Sequence, residues 1–423
     1  MTQGAPSPAY GTRLLVVQPT PFCNVSCKYC YLPNRSSTRQ ISERTLRQTF
    51  RLLFSSPNLA PDLTVLWHAG EPLVLPPRFY ASALQILKEE NLGGTPYRIS
   101  IQTNATLITK EWCDLFRRER FEVGVSIDGP KFLHDANRVD RQGAGTFERA
   151  MQGIRILQSE GVPFGLITVL TEKSLDYPEE IFRFYVENKI DDVAFNIEEI
   201  EGIHRTSSLE RPGIEARFRR FIRRLLELRA TNARAMRIRE FDSLTPSILR
   251  SGSTVVQSVC VPLEVISVDC DGNVSTFSPE LLGIQSPRYR GFVFGNVHSL
   301  AEFSQIEANP SFRSVFQDLT EGVRACRTTC EYFELCGGGS PSNKLGETGT
   351  LRSTETLHCR LTVKSMVDAL LDHLESSLAA AASPATSLDP SAGRAVRHAI
   401  SPNDIREGDS NALSGLTGRA CPR

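Results

Sequence analysis

The feature that most constrains this chain is a rhythm. Between residues 14 and 197, six short apolar runs rich in β-formers alternate with stretches of helical period. The runs are Leu14–Gln18, Leu63–Trp67, Arg98–Thr103, Glu122–Ile127, Phe164–Val169 and Asp192–Ile197. The helical stretches are Glu43–Leu53, Arg78–Glu90, Lys110–Arg120, Thr146–Glu160 and Pro178–Glu187. Ser42 and Thr109 are candidate N-caps, because a short side-chain oxygen can accept from an orphan backbone N–H. A helix in every interval demands crossover connections, and crossovers make parallel neighbours. The pattern therefore predicts an α/β fold with a parallel sheet, closed as a doubly wound sheet or as a barrel. Both closures put ligands at the carboxyl ends of the strands.

The chemistry-bearing segments fall at those ends. Cys23, Cys27 and Cys30 follow the first run and His68-Ala69-Gly70-Glu71-Pro72 the second. Asn104 follows the third and Asp128-Gly129-Pro130 the fourth. Four such segments after consecutive strands describe one site. The cysteines are spaced C-x3-C-x2-C, which lets three thiolates wrap one face of a four-iron four-sulfur cluster and leaves one iron open to a small molecule. Structural zinc takes four protein ligands, and three thiols without a nearby His suit it poorly.

Composition excludes little but points the same way. Lys plus Arg and Asp plus Glu both number 48, a balance that argues against a nucleic-acid or membrane-surface binder. No run of about 18 apolar residues suggests a membrane span. The first residues lack the basic start and apolar centre of a secretory signal. The expected location is the cytoplasm, where the eleven cysteines serve as metal ligands or core thiols rather than disulfides.

With the aromatic Tyr29 inside it, the C-x3-C-x2-C segment resembles the signature of the radical S-adenosylmethionine (SAM) superfamily. The resemblance spans about residues 13–370 and implies a partial (β/α)6 TIM-type barrel. In that family SAM chelates the open iron, and one-electron reduction splits it to a 5′-deoxyadenosyl radical that abstracts a substrate hydrogen. Ala69-Gly70-Glu71-Pro72 looks like the family's Gly-Gly-Glu motif, with Ala at the first Gly, which implies that Gly70 and Glu71 bind the SAM amino group. Gln102-Thr103-Asn104 matches a strand-end motif of peptide-modifying members, implying a cofactor-binding place for Asn104. Ser126, Asp128 and Arg138 match sulfatase-maturase positions that approach the SAM ribose and carboxylate, and Tyr29 is expected near the adenine.

Further along, Ile214–Arg229 reads as a helix opening a bridge over 214–257, with an Arg-rich stretch over 217–239 that includes Arg234. That stretch reads as a solvated helix face or, alternatively, as a dock for an acidic leader segment. A loop-rich domain then covers 258–374. Its Cys326, Cys330, Cys336 and Cys359 resemble the second auxiliary cluster of SPASM domains, with one extra residue in the first gap. The alternative is a four-cysteine zinc site. The other SPASM cluster loses ligands, because Phe277 and Ser340 stand where cysteines are expected, leaving Cys260 and Cys270 as uncertain ligands. Cys113 reads as a buried thiol and Cys421 as unimportant. Residues 1–12 and 375–423 read as disordered.

A SPASM domain implies a ribosomally made precursor peptide as substrate and a flavodoxin or ferredoxin as reductant. Within that group the strings Thr276-Phe-Ser-Pro-Glu280-Leu-Leu-Gly283, Phe195-Asn-Ile-Glu198-Glu199-Ile-Glu201-Gly202 and Gly143-x-Gly145-Thr146-Phe147 resemble the cyclophane-forming maturases of glycine-rich-repeat peptides. The implied product is a carbon–carbon bond from an aromatic ring to a neighbouring β-carbon. Glu198, Glu199 and Glu201 are candidates for the base that takes the ring proton. Two alternatives stand beside this reading: a sulfatase-maturase-like oxidation of Cys or Ser to formylglycine, and a non-catalytic iron–sulfur or zinc electron carrier or scaffold.

Overall fold

The structure, a computed structural model, describes residues 11–233, 235–249 and 254–382. Arg234, Cys421, the first ten residues and the tail from 383 lie outside the described residues.

Twelve strands are described: β1 (Thr12–Val17), β2 (Val25–Cys27), β3 (Leu59–Trp67), β4 (Arg98–Thr103), β5 (Phe121–Ser126), β6 (Arg138–Asp140), β7 (Phe164–Leu170), β8 (Asp192–Ile197), β9 (Arg237–Ile238), β10 (Val265–Val268), β11 (Asn273–Thr276) and β12 (Gly295–Asn296). The six runs read from the sequence become β1, β3, β4, β5, β7 and β8, and these pair in that order, all parallel. A doubly wound sheet reverses its strand order at a switch point, and this one does not. The closure is therefore the partial barrel, with helices Glu43–Phe54, Pro77–Glu90, Lys110–Glu119, Phe147–Ser159 and Pro178–Glu187 in the crossovers.

Local chemistry explains the helix starts. Ser42 accepts from the Thr45 N–H at 3.1 Å and caps the first helix as expected. Thr109 occupies the N-cap position of Lys110–Glu119, but its side chain makes no capping bond. The apolar faces of these helices cover the sheet, where Trp67 packs edge-on to Tyr80 at 5.1 Å and Tyr80 meets Trp112 at 5.3 Å. Cys113 is fully buried beside them.

The barrel does not close on itself. β1 takes β10 as a parallel neighbour, Leu14–Val17 against Val265–Val268, and β11 and β12 continue antiparallel from it. β9 adds to the other edge beside β8. The expected boundary at residue 258 thus falls inside one ten-stranded sheet. The helix Met366–Ala382 also runs past residue 375, where disorder was expected. Its Ala-rich end has high helix propensity, and Ser376 bonds back to the Asp372 carbonyl at 2.7 Å. Along Ile214–Thr231, Arg217, Arg219, Arg224 and Arg229 pair with Glu172, Asp368, Glu179 and Asp242, so the Arg-rich face is satisfied largely from within the chain.

Candidate active site

The three-cysteine loop leaves β1 and is pinned by a short ribbon. β2 pairs antiparallel with β6, which sets Cys27 opposite Arg138. Arg141 ties the loop down by donating to the carbonyls of Cys23 at 2.7 Å and Arg35 at 2.9 Å. Cys23, Cys27 and Cys30 line one wall of a cavity of about 290 Å³ at the carboxyl ends of the barrel strands. Asn104 Nδ2 stands 3.9 Å from the Cys23 sulfur, and Arg138 Nη1 stands 3.9 Å from that of Cys27. Burial pushes the Cys23 thiol up to about 12 and the Cys27 thiol to about 11. Such thiols stay protonated at neutral pH unless a metal displaces the proton.

The donor set fits a cluster better than a single ion. Among the described residues, no three His, Cys, Asp or Glu converge tightly enough to hold one metal ion. Thiols around a cubane stand farther apart than the ligands of a single tetrahedral ion, so three sulfurs sharing a cavity wall without converging suit the larger group.

Glu71 is held beside this wall. Its carboxylate accepts from Thr103 Oγ1 at 2.6 Å, Asn104 N at 2.8 Å and Leu73 N at 3.0 Å. Burial lifts it to about 7 against those bonds. Ala69 and Gly70 both have positive φ, at 68° and 61°. A Cβ on Gly70 would lie 2.5 Å from the carbonyl oxygens of Thr20 and Phe22, so glycine is required there. Ala69 adopts the left-handed conformation with its Cβ present, at some conformational cost.

On the opposite side Asp128 is the hub of a buried network. It accepts from the Tyr29 hydroxyl, from Val169 N at 3.1 Å and from Arg138 Nη2 at 3.1 Å. The Arg138 guanidinium also lies over the Tyr29 ring, 5.4 Å from its centroid. Tyr29, Ser126, Arg138, Gly70, Glu71 and Asn104 line the cavity, but Asp128 does not. Its carboxylate is spent holding Tyr29 and Arg138 in place.

The far wall of the cavity comes from the end of β8 and from the C-terminal domain. The three neighbouring carboxylate candidates separate there. Glu198 does not line the cavity: it accepts from Ser208 N at 2.9 Å and sits 3.4 Å from His204 Nε2. Glu199 and Glu201 do line it, joined by Glu280. Asn343 Nδ2 donates to Glu199 at 2.8 Å. Glu201 is buried with its Oε2 unpartnered, and burial, then Glu199 and Glu280, push its carboxyl well above the usual range. Burial lifts Glu280 to about 8. Sequence reasoning placed His68 at a strand end without a role, gave Glu280 none, and missed Tyr31 and His358, all of which line the cavity. Glu280 reaches it from the short 3-10 turn Pro279–Leu281 and His358 from the helical turn just before Cys359–Ser365, elements too short for periodicity to mark.

Cys326, Cys330, Cys336 and Cys359 line a second, small cavity with Gly338, Gly339 and Lys344. Helix Pro310–Thr329 carries Cys326, and a π-helical turn, Cys359–Ser365, begins with the fourth cysteine. Four thiols around one small cavity supply the full ligand set of a four-iron cluster with no open iron, and equally of a zinc tetrahedron. Phe277, where a cysteine was expected, is packed instead against Phe312 at 5.7 Å, and Ser340 is 3.3 Å from the Ser278 hydroxyl. The Cys260 thiol donates to the Gly339 carbonyl at 3.1 Å. Cys270 sits on the turn after β10 beside Asp269 and Asp271 and lines neither cavity.

Residues 17–185 match the Radical SAM superfamily. The chain is 40% identical over 371 residues to an uncharacterized protein of Synechocystis, covering 87% of this chain and 93% of that one. It is 34% identical over 170 residues to a serine-type anaerobic sulfatase-maturating enzyme of Bacteroides thetaiotaomicron, a match confined to 39% of this chain and 41% of that enzyme. Its fold is similar to that of native anSMEcpe with bound AdoMet and Cp18Cys peptide, with a TM-score of 0.71 and 20% identity over 88% of this chain and 99% of that one. It is also similar to Streptococcus suis SuiB bound to precursor peptide SuiA, with a TM-score of 0.59 and 16% identity over 82% and 76% of the two chains. No described helix is long and apolar enough to cross a membrane. The chain belongs to the radical SAM superfamily and is an enzyme whose cofactors are a four-iron four-sulfur cluster and SAM.

Proposed function

We propose that this enzyme matures a ribosomally made precursor peptide by joining a side-chain β-carbon to an aromatic ring, forming a cyclophane. One observation carries the reading: a single cavity joins the three-thiol wall, Glu71 and Arg138 to a set of carboxylates drawn from both domains. When bound, the cluster at Cys23, Cys27 and Cys30 together with SAM supplies hydrogen-atom abstraction. Gly70 and Glu71 hold the SAM ammonium, since three donors fix the carboxylate in place and an arriving cation favours its ionised form. Arg138, whose buried Nε has no protein partner, offers donors to the SAM carboxylate, and Asp128 with Tyr29 keeps its guanidinium aimed. Ser126 and Asn104 complete the polar lining.

Coupling to a ring requires that the ring carbon lose a proton as aromaticity returns. Glu201 accepts it in its ionised form: it lines the cavity with one oxygen unpartnered, and burial raises the affinity of that form for a proton. Glu199, held by Asn343, and Glu280 set the field around it. Cys326, Cys330, Cys336 and Cys359 hold an auxiliary cluster, and a flavodoxin or ferredoxin delivers the reducing electron.

Formylglycine formation is the second reading, favoured by the likeness to a serine-type sulfatase-maturating enzyme. The test is anaerobic reconstitution with iron and sulfide, then SAM and dithionite with either a glycine-rich-repeat peptide containing aromatic residues or a sulfatase-derived peptide. Formation of 5′-deoxyadenosine that is lost in Cys23→Ala, Cys27→Ala, Cys30→Ala supports the cofactor site. Fragmentation that places a two-hydrogen loss between a ring and a β-carbon supports the crosslink. The same loss confined to one Ser side chain, or a Cys side chain that loses two hydrogens and exchanges its sulfur for oxygen from water with release of hydrogen sulfide, refutes it in favour of formylglycine.

A further inference from the structure

Lys344 is 1% exposed, in helix Pro341–Thr348. Its Nζ is 3.7 Å from the Cys326 sulfur, and among the described residues that sulfur is its only hydrogen-bond partner. Among the described residues no carboxylate pairs with it. A fully buried ammonium without a counter-ion is costly in an apolar surrounding, so something anionic must answer it when the protein works. The ionisable groups that share its small cavity among the described residues are thiols, those of Cys326, Cys330, Cys336 and Cys359, with that of Cys260 beside it.

A four-iron cluster held by four thiolates is a net anion, and one-electron reduction adds a further negative charge. A fixed cation donating to one ligand sulfur stabilises the reduced state more than the oxidised one, because its attraction grows with the charge it faces. Burial keeps water from screening it. The same helix presents Ser342 and Asn343 to the large cavity and Lys344 to the small one. The charge therefore sits between the carboxylate wall and the four cysteines.

We propose that Lys344 is a positioning residue for electron flow: its buried ammonium raises the reduction potential of a cluster at Cys326, Cys330, Cys336 and Cys359, making that cluster an acceptor for an electron released in the neighbouring cavity. The inference rests on the auxiliary-cluster part of the proposed function. Reduction here means one electron gained by the cluster and one lost by the peptide-derived radical, whose proton leaves to a base.

The experiment is an anaerobic redox titration of the reconstituted full chain, followed by electron paramagnetic resonance, with iron quantified on every sample. Wild type is compared with Lys344→Gln, which keeps an N–H donor and loses the charge, and with Lys344→Arg, which keeps the charge. Lys344→Gln is expected to weaken reduction of the auxiliary cluster at least about tenfold, ~59 mV for one electron, while the cluster at Cys23, Cys27 and Cys30 keeps its potential. Lys344→Arg is expected to stay near wild type. An unchanged auxiliary potential in Lys344→Gln with full iron overturns the role of Lys344 alone. So does loss of the auxiliary iron in both variants, which makes the residue structural. Wild-type iron for one cluster only overturns the auxiliary cluster itself, and the inference with it.

Discussion

Replacing Asp128 by Ala removes the common acceptor of Tyr29, Val169 N and Arg138. The Arg138 side chain is 7% exposed and that of Asp128 1%, so solvent cannot take over. Breaking a buried ion pair by removing one partner costs about 3–5 kcal/mol. The Tyr29 hydroxyl, left without its acceptor, adds about 1–3 kcal/mol, though neighbouring losses do not add fully. We expect a net loss near 4 kcal/mol, a large part of the ~5–15 kcal/mol that holds a domain folded. Trp67 and Trp112, the chain's two tryptophans, are both buried in the barrel, so anaerobic urea unfolding followed by their fluorescence reports this region. The informative comparison is Asp128→Asn with Arg138→Met. The double variant leaves no orphan charge and is expected to recover at least about 2 kcal/mol relative to the sum of the singles. A strictly additive double variant, or an Asp128→Ala loss below about 1 kcal/mol, would refute the network as the element that fixes Arg138.

Glu280 has its pKa raised by burial from an ordinary carboxylate value to about 8, so the folded chain binds its proton more tightly than the unfolded chain. Stability should be full below the ordinary carboxylate range and fall as pH rises toward 8. Glu280→Gln should flatten that fall in a series of thermal scans, and an identical pH profile in both proteins would count against the assignment. Gly70→Ala forces a methyl to within 2.5 Å of two carbonyl oxygens at a φ of 61°, and should cost at least about 2 kcal/mol with weakened SAM binding measured by calorimetry. A variant that binds SAM as wild type does would show that the turn has room to relax.

Much of the barrel was legible because its signals are local. Arg98–Thr103 and Asp192–Ile197 match their strands residue for residue, since alternation of β-branched runs and amphipathic helices is set over short windows. The place of Cys23, Glu71 and Asn104 followed from the rule that strand ends carry the site. What stayed hidden depends on pairing over long separations. β10 is four residues long, and nothing in Val265–Val268 says that it will bond to Leu14–Val17, some 250 positions earlier. Glu198, Glu199 and Glu201 look alike in sequence, yet Ser208 claims the first while the cavity receives the other two. Asp128 was expected against the cofactor, and only the fold reveals that Tyr29 and Arg138 consume its oxygens.

The bonding of β10 onto β1 has a mechanical consequence. The strand that leads into Cys23 and the first strand of the C-terminal domain are neighbours in the same sheet. A hinge between the two halves would have to tear backbone hydrogen bonds from the middle of a buried sheet. The gap between the two cysteine sites is therefore a fixed length, as in a machined part. On the proposed function, a peptide would enter and leave over the loops beyond the strand ends, while the track proposed for the electron would keep its span throughout the cycle.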